Sequence, residues 1–306
     1  MNPKSTNSQW PVLDFQEIEA TLATLHQWIQ IVGKIRLKTM PWQNHSWHVT
    51  LYVSPNGITT QGIPFNGSFF QIDFDFENHE LMITASQKAP EVIPLQSMTV
   101  AKFHDLLFEK LTKLGVEVTI HGSPNEMEPA IPFKENTTNK TYDPVAANTI
   151  WKALMQANCT FQKFRSQYIG KCSLVHLFWG AFDLAVTRFS GKDAPLHQGG
   201  MPNMPLEVMQ EAYSKEVSSA GFWLGSKDFP VPSFYAYAYP SAPEFGNQKV
   251  APKQAFYSEE MGEFFLKYED VQQSDNPEQM LLDFLQSTYE AAAETSKWDR
   301  DNLERK

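Results

Sequence analysis

Apolar residues recur every three to four positions between residues 14 and 32, at Ile18, Leu22, Leu25, Ile29 and Val32. That period lays a single stripe along a helix. Asp14 and Glu17 fit a capping box at its start, and Gly33 is expected to end it. The pattern then shortens to alternation in "WHVTLYV", "GITTQGI", "FFQIDFDF" and "ELMITAS", separated by turn signals such as Pro55-Asn56-Gly57 and Asn66-Gly67. In "FFQIDFDF", Phe70, Ile72, Phe74 and Phe76 share one face, with Gln71, Asp73 and Asp75 on the other. That is an antiparallel strand buried on one side. A second helix is predicted from Ser97 to Leu114, with Val100, Phe103, Leu107 and Leu111 inward, and "VEVTIH" reads as one more strand.

Residues 122 to 142 have three prolines and no periodicity, so they read as a connecting arm. Asp143-Pro144 then opens a third helix with the proline at its first position. Strand-like stretches follow near 172–189, 213–223, 233–239 and 263–268, and a last helix starts at Asn276-Pro277. The prediction is an α+β fold of antiparallel β meanders covered by helices, in two similar helix–strands–helix halves. Their bounds are 10–121 and 143–306, flanking the arm, with 1–9 as a disordered N-terminus and both halves in one compact unit. "QIVGK" (30–34) and "QYIGK" (167–171) close the first helix of each half, which hints at a duplication and equally fits chance.

Composition narrows the function classes. The chain of 306 residues has 20% charged residues and a net charge of -10. From Glu259 to Lys306 there are 13 acids and 5 bases, which accounts for -8 of that total. A nucleic-acid partner needs a basic footprint, and none is visible. A membrane partner is disfavoured for want of a basic face or an apolar run of ~18 residues. The first residues, "MNPKSTNSQWPVL", hold no apolar signal core, and Cys159 and Cys172 form no CxxC pair. Together these predict a soluble, acidic, cytoplasmic protein with free thiols.

The chemistry-capable side chains concentrate in "HLFWGAFDLAVTRFSG", residues 176–191. One reading makes His176 an acid/base, Asp183 its orienting partner and Arg188 an anion clamp. The competing reading has Asp183 and Arg188 neutralising each other inside an apolar sheet. Geometry sets a condition on the first. On one straight strand His176 and Asp183 would stand ~23 Å apart on opposite faces, so the chain must turn near Trp179-Gly180. Tyr235, Tyr237 and Tyr239 alternate with Ala236 and Ala238, which gives a tyrosine face able to stack a flat ligand.

His45 and His48 have an H-x-x-H spacing, but on a strand the rings point to opposite faces, and no metal site is predicted. Lys34 and Lys171 follow glycines without a phosphate-loop pattern and read as charges at helix C-termini. The ligand-binding candidates are His45, Trp47, Trp179 and Tyr237. The partner expected is a small polar or anionic molecule in an aromatic-lined cleft, with a protein-docking surface or a purely structural aromatic core as alternatives. No cofactor is specified, and catalysis stays open.

Several long strings, "NHSWHVTLYVSPNGITT", "IDFDFENHEL", "GKCSLVHLFWGAFDLAVTRFSG", "EVSSAGFWLG", "FYAYAYP" and "STYEAAAETSKWDR", resemble the successive motifs of a bacterial family described only as a domain of unknown function, number 5996 of that series. The resemblance runs from about Trp10 to Glu304 and implies a single unit of this length. It transfers no catalytic or binding residue. The chain departs from the family pattern at Leu174 and Leu224, where proline is usual, and at Lys192, where arginine is common.

Overall fold

The computed structural model describes residues 9–306, so residues 1–8 of the expected N-terminal tail lie outside the described residues. Helix α1 spans Phe15–Thr39, and the Asp14 carboxylate accepts a hydrogen bond from the Gln16 amide at 2.9 Å. It runs straight through Gly33, contrary to the expected stop. The Trp179 indole packs onto that residue, where a β-carbon would collide with the ring. Lys34 is therefore mid-helix rather than a terminal charge.

The first sheet holds β1 (Tyr52–Ser54), β2 (Gly57–Thr59), β3 (Ile63–Phe65), β4 (Ser68–Asp75), β5 (Glu80–Ala85) and β6 (Glu91–Pro94). Its order is β1-β2-β4-β5-β6, with β3 paired to β4. Phe70, Ile72 and Phe74 are buried, as the alternation requires. The expected strand "WHVTLYV" shrinks to β1, because residues 44–46 form a tight turn in which His45 and Ser46 have positive φ. Helix α2 covers Val100–Lys113. "VEVTIH" pairs with nothing and forms no strand.

Helix α3 (Pro144–Ser166) begins as predicted, with the Asp143 carboxylate accepting from the Ala146 amide at 2.9 Å. The second sheet comprises β7 (His176–Phe178), β8 (Asp183–Asp193), β9 (Lys215–Trp223), β10 (Ser233–Tyr239), β11 (Phe256–Ser258) and β12 (Glu263–Lys267). All its pairings are antiparallel, in the order β11-β12-β10-β9-β8-β7. Helix α4 (Leu206–Ala212) sits between β8 and β9 in the chain, while α5 (Tyr268–Gln272), α6 (Pro277–Thr295) and α7 (Arg300–Leu303) close it. The described residues thus form an α+β fold of seven helices and two antiparallel sheets. None of these helices is long and apolar enough to cross a membrane.

The two sheets meet at one bridge. Leu51 and Leu177 exchange backbone hydrogen bonds of 3.0 and 2.8 Å. Both leucines are fully buried on the helix side, where one core cluster joins α1, α2, α3 and α6. The opposite, outer face of the second sheet is overlaid by the irregular segment near 125 and by the segment ending in α4. That overlay positions the site.

Candidate functional site

The chain does turn at residues 179–182. β7 and β8 form a hairpin in which His176 lies opposite Ala185 and Phe178 opposite Asp183. Register then fixes the outer face: one rung reads Phe178, Asp183, Trp223, Ser233, Lys267, and the next reads His176, Ala185, Gly221, Tyr235, Phe265. Because side chains alternate along a strand, Leu184, Val186 and Arg188 point the other way. His176 and Asp183 share a face; Arg188 does not share it.

Arg188 is a core residue. It is 1% exposed, its guanidinium lies 3.5 Å from the Phe164 ring centroid and 4.4 Å from that of Tyr289, and it donates to the Phe164 carbonyl oxygen. Burial pulls its pKa down to about 10. Neither expectation for Arg188 is met, since it neither neutralises Asp183 nor can clamp an anion beside it. His45 and Trp47 stand at the far end of β8, against Phe189. His45 bonds the Ala212 carbonyl through Nδ1 and Lys171 through Nε2 at 2.6 Å. Six residues of strand separate Phe189 from Asp183, ~20 Å. Trp179 is buried in the turn; its indole donates to the Val49 carbonyl and covers α1, with Lys34 Nζ 5.4 Å from its centroid. Of the wall residues expected, Tyr237 alone joins Asp183.

The second sheet assembles a different set around Asp183. The Tyr235 ring lies across Gly221, where a β-carbon would be 2.3 Å from its Cζ, and its hydroxyl donates to Asp183 Oδ2. Tyr237 stacks beside it at 6.2 Å and shares a 2.9 Å hydrogen bond with the Tyr213 hydroxyl from the overlay. Trp223 flanks Asp183 on its rung and stacks on Phe229 at 5.7 Å. Glu263 enters from β12, and the Glu126 carboxylate presses on the Gly180 turn from above.

The electrostatics are one-sided. Burial pushes Asp183 up to about 6, against the opposing hydrogen bond from Tyr235. Burial, then the negative charge of Asp183, pushes Glu126 and Glu263 each up to about 7. No Lys, Arg or His of the described residues pairs with any of the three, and the carboxylates of Glu126 and Glu263 accept no hydrogen bond. Carboxyls are raised in this way when burial thins their hydration and no counter-charge stands near. His176 is 2% exposed and held down to about 4 by burial. Its Nδ1 donates to the Leu174 carbonyl at 2.7 Å, which leaves Nε2 as an unpartnered acceptor.

The overlay is fastened by the polar side of α1. Gln30 accepts from the Asn125 amide and donates to the Asn125 carbonyl, each at 2.8 Å, and Lys34 donates to the Asn125 side chain. His26 Nε2 meets the carbonyl oxygens of Trp179 and Gly180 at 3.0 and 2.8 Å. Glu126 has a φ of 55°, a left-handed value rare for residues other than glycine, and its amide donates to the Pro202 carbonyl at 3.1 Å. A surface depression of about 650 Å3 lies elsewhere, at the C-terminal end, and its Arg300 is already engaged by Glu290, Glu294 and Glu304. Among the described residues no group of three or more His, Cys, Asp or Glu is arranged to hold a metal ion.

Tyr235 lay on the expected ligand-stacking tyrosine face, whereas Glu126, Glu263, Tyr213 and Trp223 were not among the candidates. Tyr235 and Trp223 carried a signal, being in the aromatic strings "FYAYAYP" and "GFWLG". Glu263 alternates with Phe265 and Lys267 on a strand face that ordinarily meets solvent. Glu126 sits in an aperiodic segment and carried none.

The family model for a family of unknown function, DUF5996, matches residues 10–305, and the chain belongs to that family. No curated protein and no solved structure matches the chain.

Proposed function

We propose that this member of a family of unknown function binds a small polar molecule on the outer face of the second sheet, with Asp183 and Tyr235 as the proton-handling pair at its centre. The observation that carries this reading is the trio of half-buried carboxyls without a counter-charge, set among half-buried aromatic rings. A structural role would favour pairing or solvating them, since a desolvated acid weakens the folded state. A proton donor and acceptor near neutral pH gains from that same setting. A protein-docking surface is less well supported, because Trp223, Tyr213, Tyr235 and Tyr237 are recessed rather than forming a flat exposed patch. The free thiols of Cys159 and Cys172 support a reducing compartment such as the cytoplasm.

A set of small polar fragments, followed by chemical-shift mapping, tests the proposal. Hits should perturb Trp223, Tyr235 and Tyr237 together and lose at least tenfold in affinity in Asp183→Ala. Hits confined to other surfaces, or unaffected by that substitution, would overturn it.

A further inference from the structure

We infer that the molecule bound on this face is a small organic cation, an amidinium or ammonium group on a flat apolar body, whose N–H donors meet Asp183, Glu126 and Glu263 while its body lies on Trp223. The inference rests on the binding reading above and adds the sign of the ligand's charge.

Three independent features converge on it. The ionisable lining is made of acceptors. The three carboxylates have no cationic partner, and Lys267, although on the rung of Asp183, is exposed and three strands away, ~14 Å. The second feature is His176. Its Nδ1–H is committed to Leu174, its buried Nε2 has no donor, and the residue stands on the same sheet face as Asp183, one rung along the hairpin. A fully buried acceptor without a donor is costly, and a ligand N–H removes that cost.

The third feature is the rings. On the Asp183 rung the carboxylate stands between Phe178 and Trp223, both half-buried, and neither ring has a cation over it. A desolvated cation on a tryptophan face is attracted by the ring quadrupole, and a neighbouring carboxylate adds charge-assisted hydrogen bonds. An anion meets the reverse: three like charges and no donor stronger than a tyrosine hydroxyl. The titratable groups around the site are Glu126, Tyr213, Tyr235, Tyr237, Glu263 and His176, with His26 of α1 against the Gly180 turn, and burial holds both histidines below their ordinary value, so none is a standing cation.

Three planar isosteres that differ in charge test the inference on the full chain: benzamidinium, benzamide and benzoate. At pH 8, benzamidinium should shift the Trp223 indole N–H resonance and bind at least tenfold more tightly than benzamide, with benzoate silent. The preference should collapse at pH 5, where the carboxyls are protonated, and in the Glu126→Gln/Glu263→Gln double variant once far-UV circular dichroism matching the parent has established that it folds. If benzamide or benzoate shifts the Trp223 signal as strongly as benzamidinium, the charge assignment is overturned while the binding face stands. If none of the three shifts it, and the polar fragments also miss this face, both readings fall.

Discussion

The acids of the two sheets make opposite use of the same chemistry. Asp73 and Asp75 on β4 are held by their neighbours. Asp73 accepts from the Gln71 amide group at 2.9 Å, and Asp75 accepts from the amides of Glu77 and Asn78 at 2.9 and 2.8 Å and from the Asn78 side chain at 2.9 Å. Burial pushes Asp75 up, but those hydrogen bonds outweigh it and leave the group below its ordinary value near 3.8. At the second sheet Asp183 has only the Tyr235 hydroxyl and its own amide, Glu263 and the overlying Glu126 have no donor, and all three are raised. Burial is common to both regions. The supply of donors differs, and it separates a carboxylate that builds a turn from carboxyls free to meet a ligand.

That contrast can be broken at several points. Asp75→Ala should have the largest effect, a loss of about 2–3 kcal/mol at pH 7, because it removes the charged acceptor of three hydrogen bonds that hold the turn after β4. Since the folded-state pKa is lowered, this stabilisation is complete above the unfolded value and is lost as pH falls through the folded one. Denaturant titrations should therefore find the variant and the parent converging at strongly acid pH. A constant gap down to pH 2 would mean the carboxylate's charge is irrelevant to the turn.

Glu126→Gln and Glu263→Gln should act in the other direction. Their folded-state pKa values are raised, so the stability they contribute is present below the ordinary value of 4.5 and is lost as pH climbs through about 7. At pH 8 each substitution should raise stability by about 1–2 kcal/mol, discounted from the full shift because both groups are partly exposed. Below pH 4 neither should. Thermal melts at the two pH values decide it; variants no more stable than the parent at pH 8 would show that the second-sheet acids are relieved by water.

The smallest change is expected from Gly221→Ala. The new methyl would meet the Tyr235 ring, which swings aside and takes its hydroxyl off Asp183, at a cost of about 1 kcal/mol. Asp183 should then titrate above about 6, as read from its carboxyl carbon resonance. An unchanged midpoint would show that Tyr235 does not govern the acid.

Much of the fold could be read from periodicity alone. The starts of α1, α3 and α6, the strand β4 and the aromatic strand β10 follow from apolar spacing and capping residues. Gly33 misled because a glycine at a close approach of two elements looks the same in sequence as one at a helix end. "VEVTIH" misled because alternation describes a willing strand and cannot supply a neighbour to pair with. For the site, the turn at Gly180 was a stated condition and the chain meets it. Parity on β8 was also legible: residues 183 and 188 differ by an odd number, which separates their faces on any regular strand. Glu126 and Glu263 were beyond reach, since what marks them is donors withheld by residues distant in sequence.

The Leu51–Leu177 bridge has a consequence for solubility. An edge strand ordinarily offers a row of open amides on which a foreign chain can template. Here Leu51, just ahead of β1, and Leu177 of β7 occupy each other's amides, so both margins are covered against strand addition at that point, and a break there would open the two together.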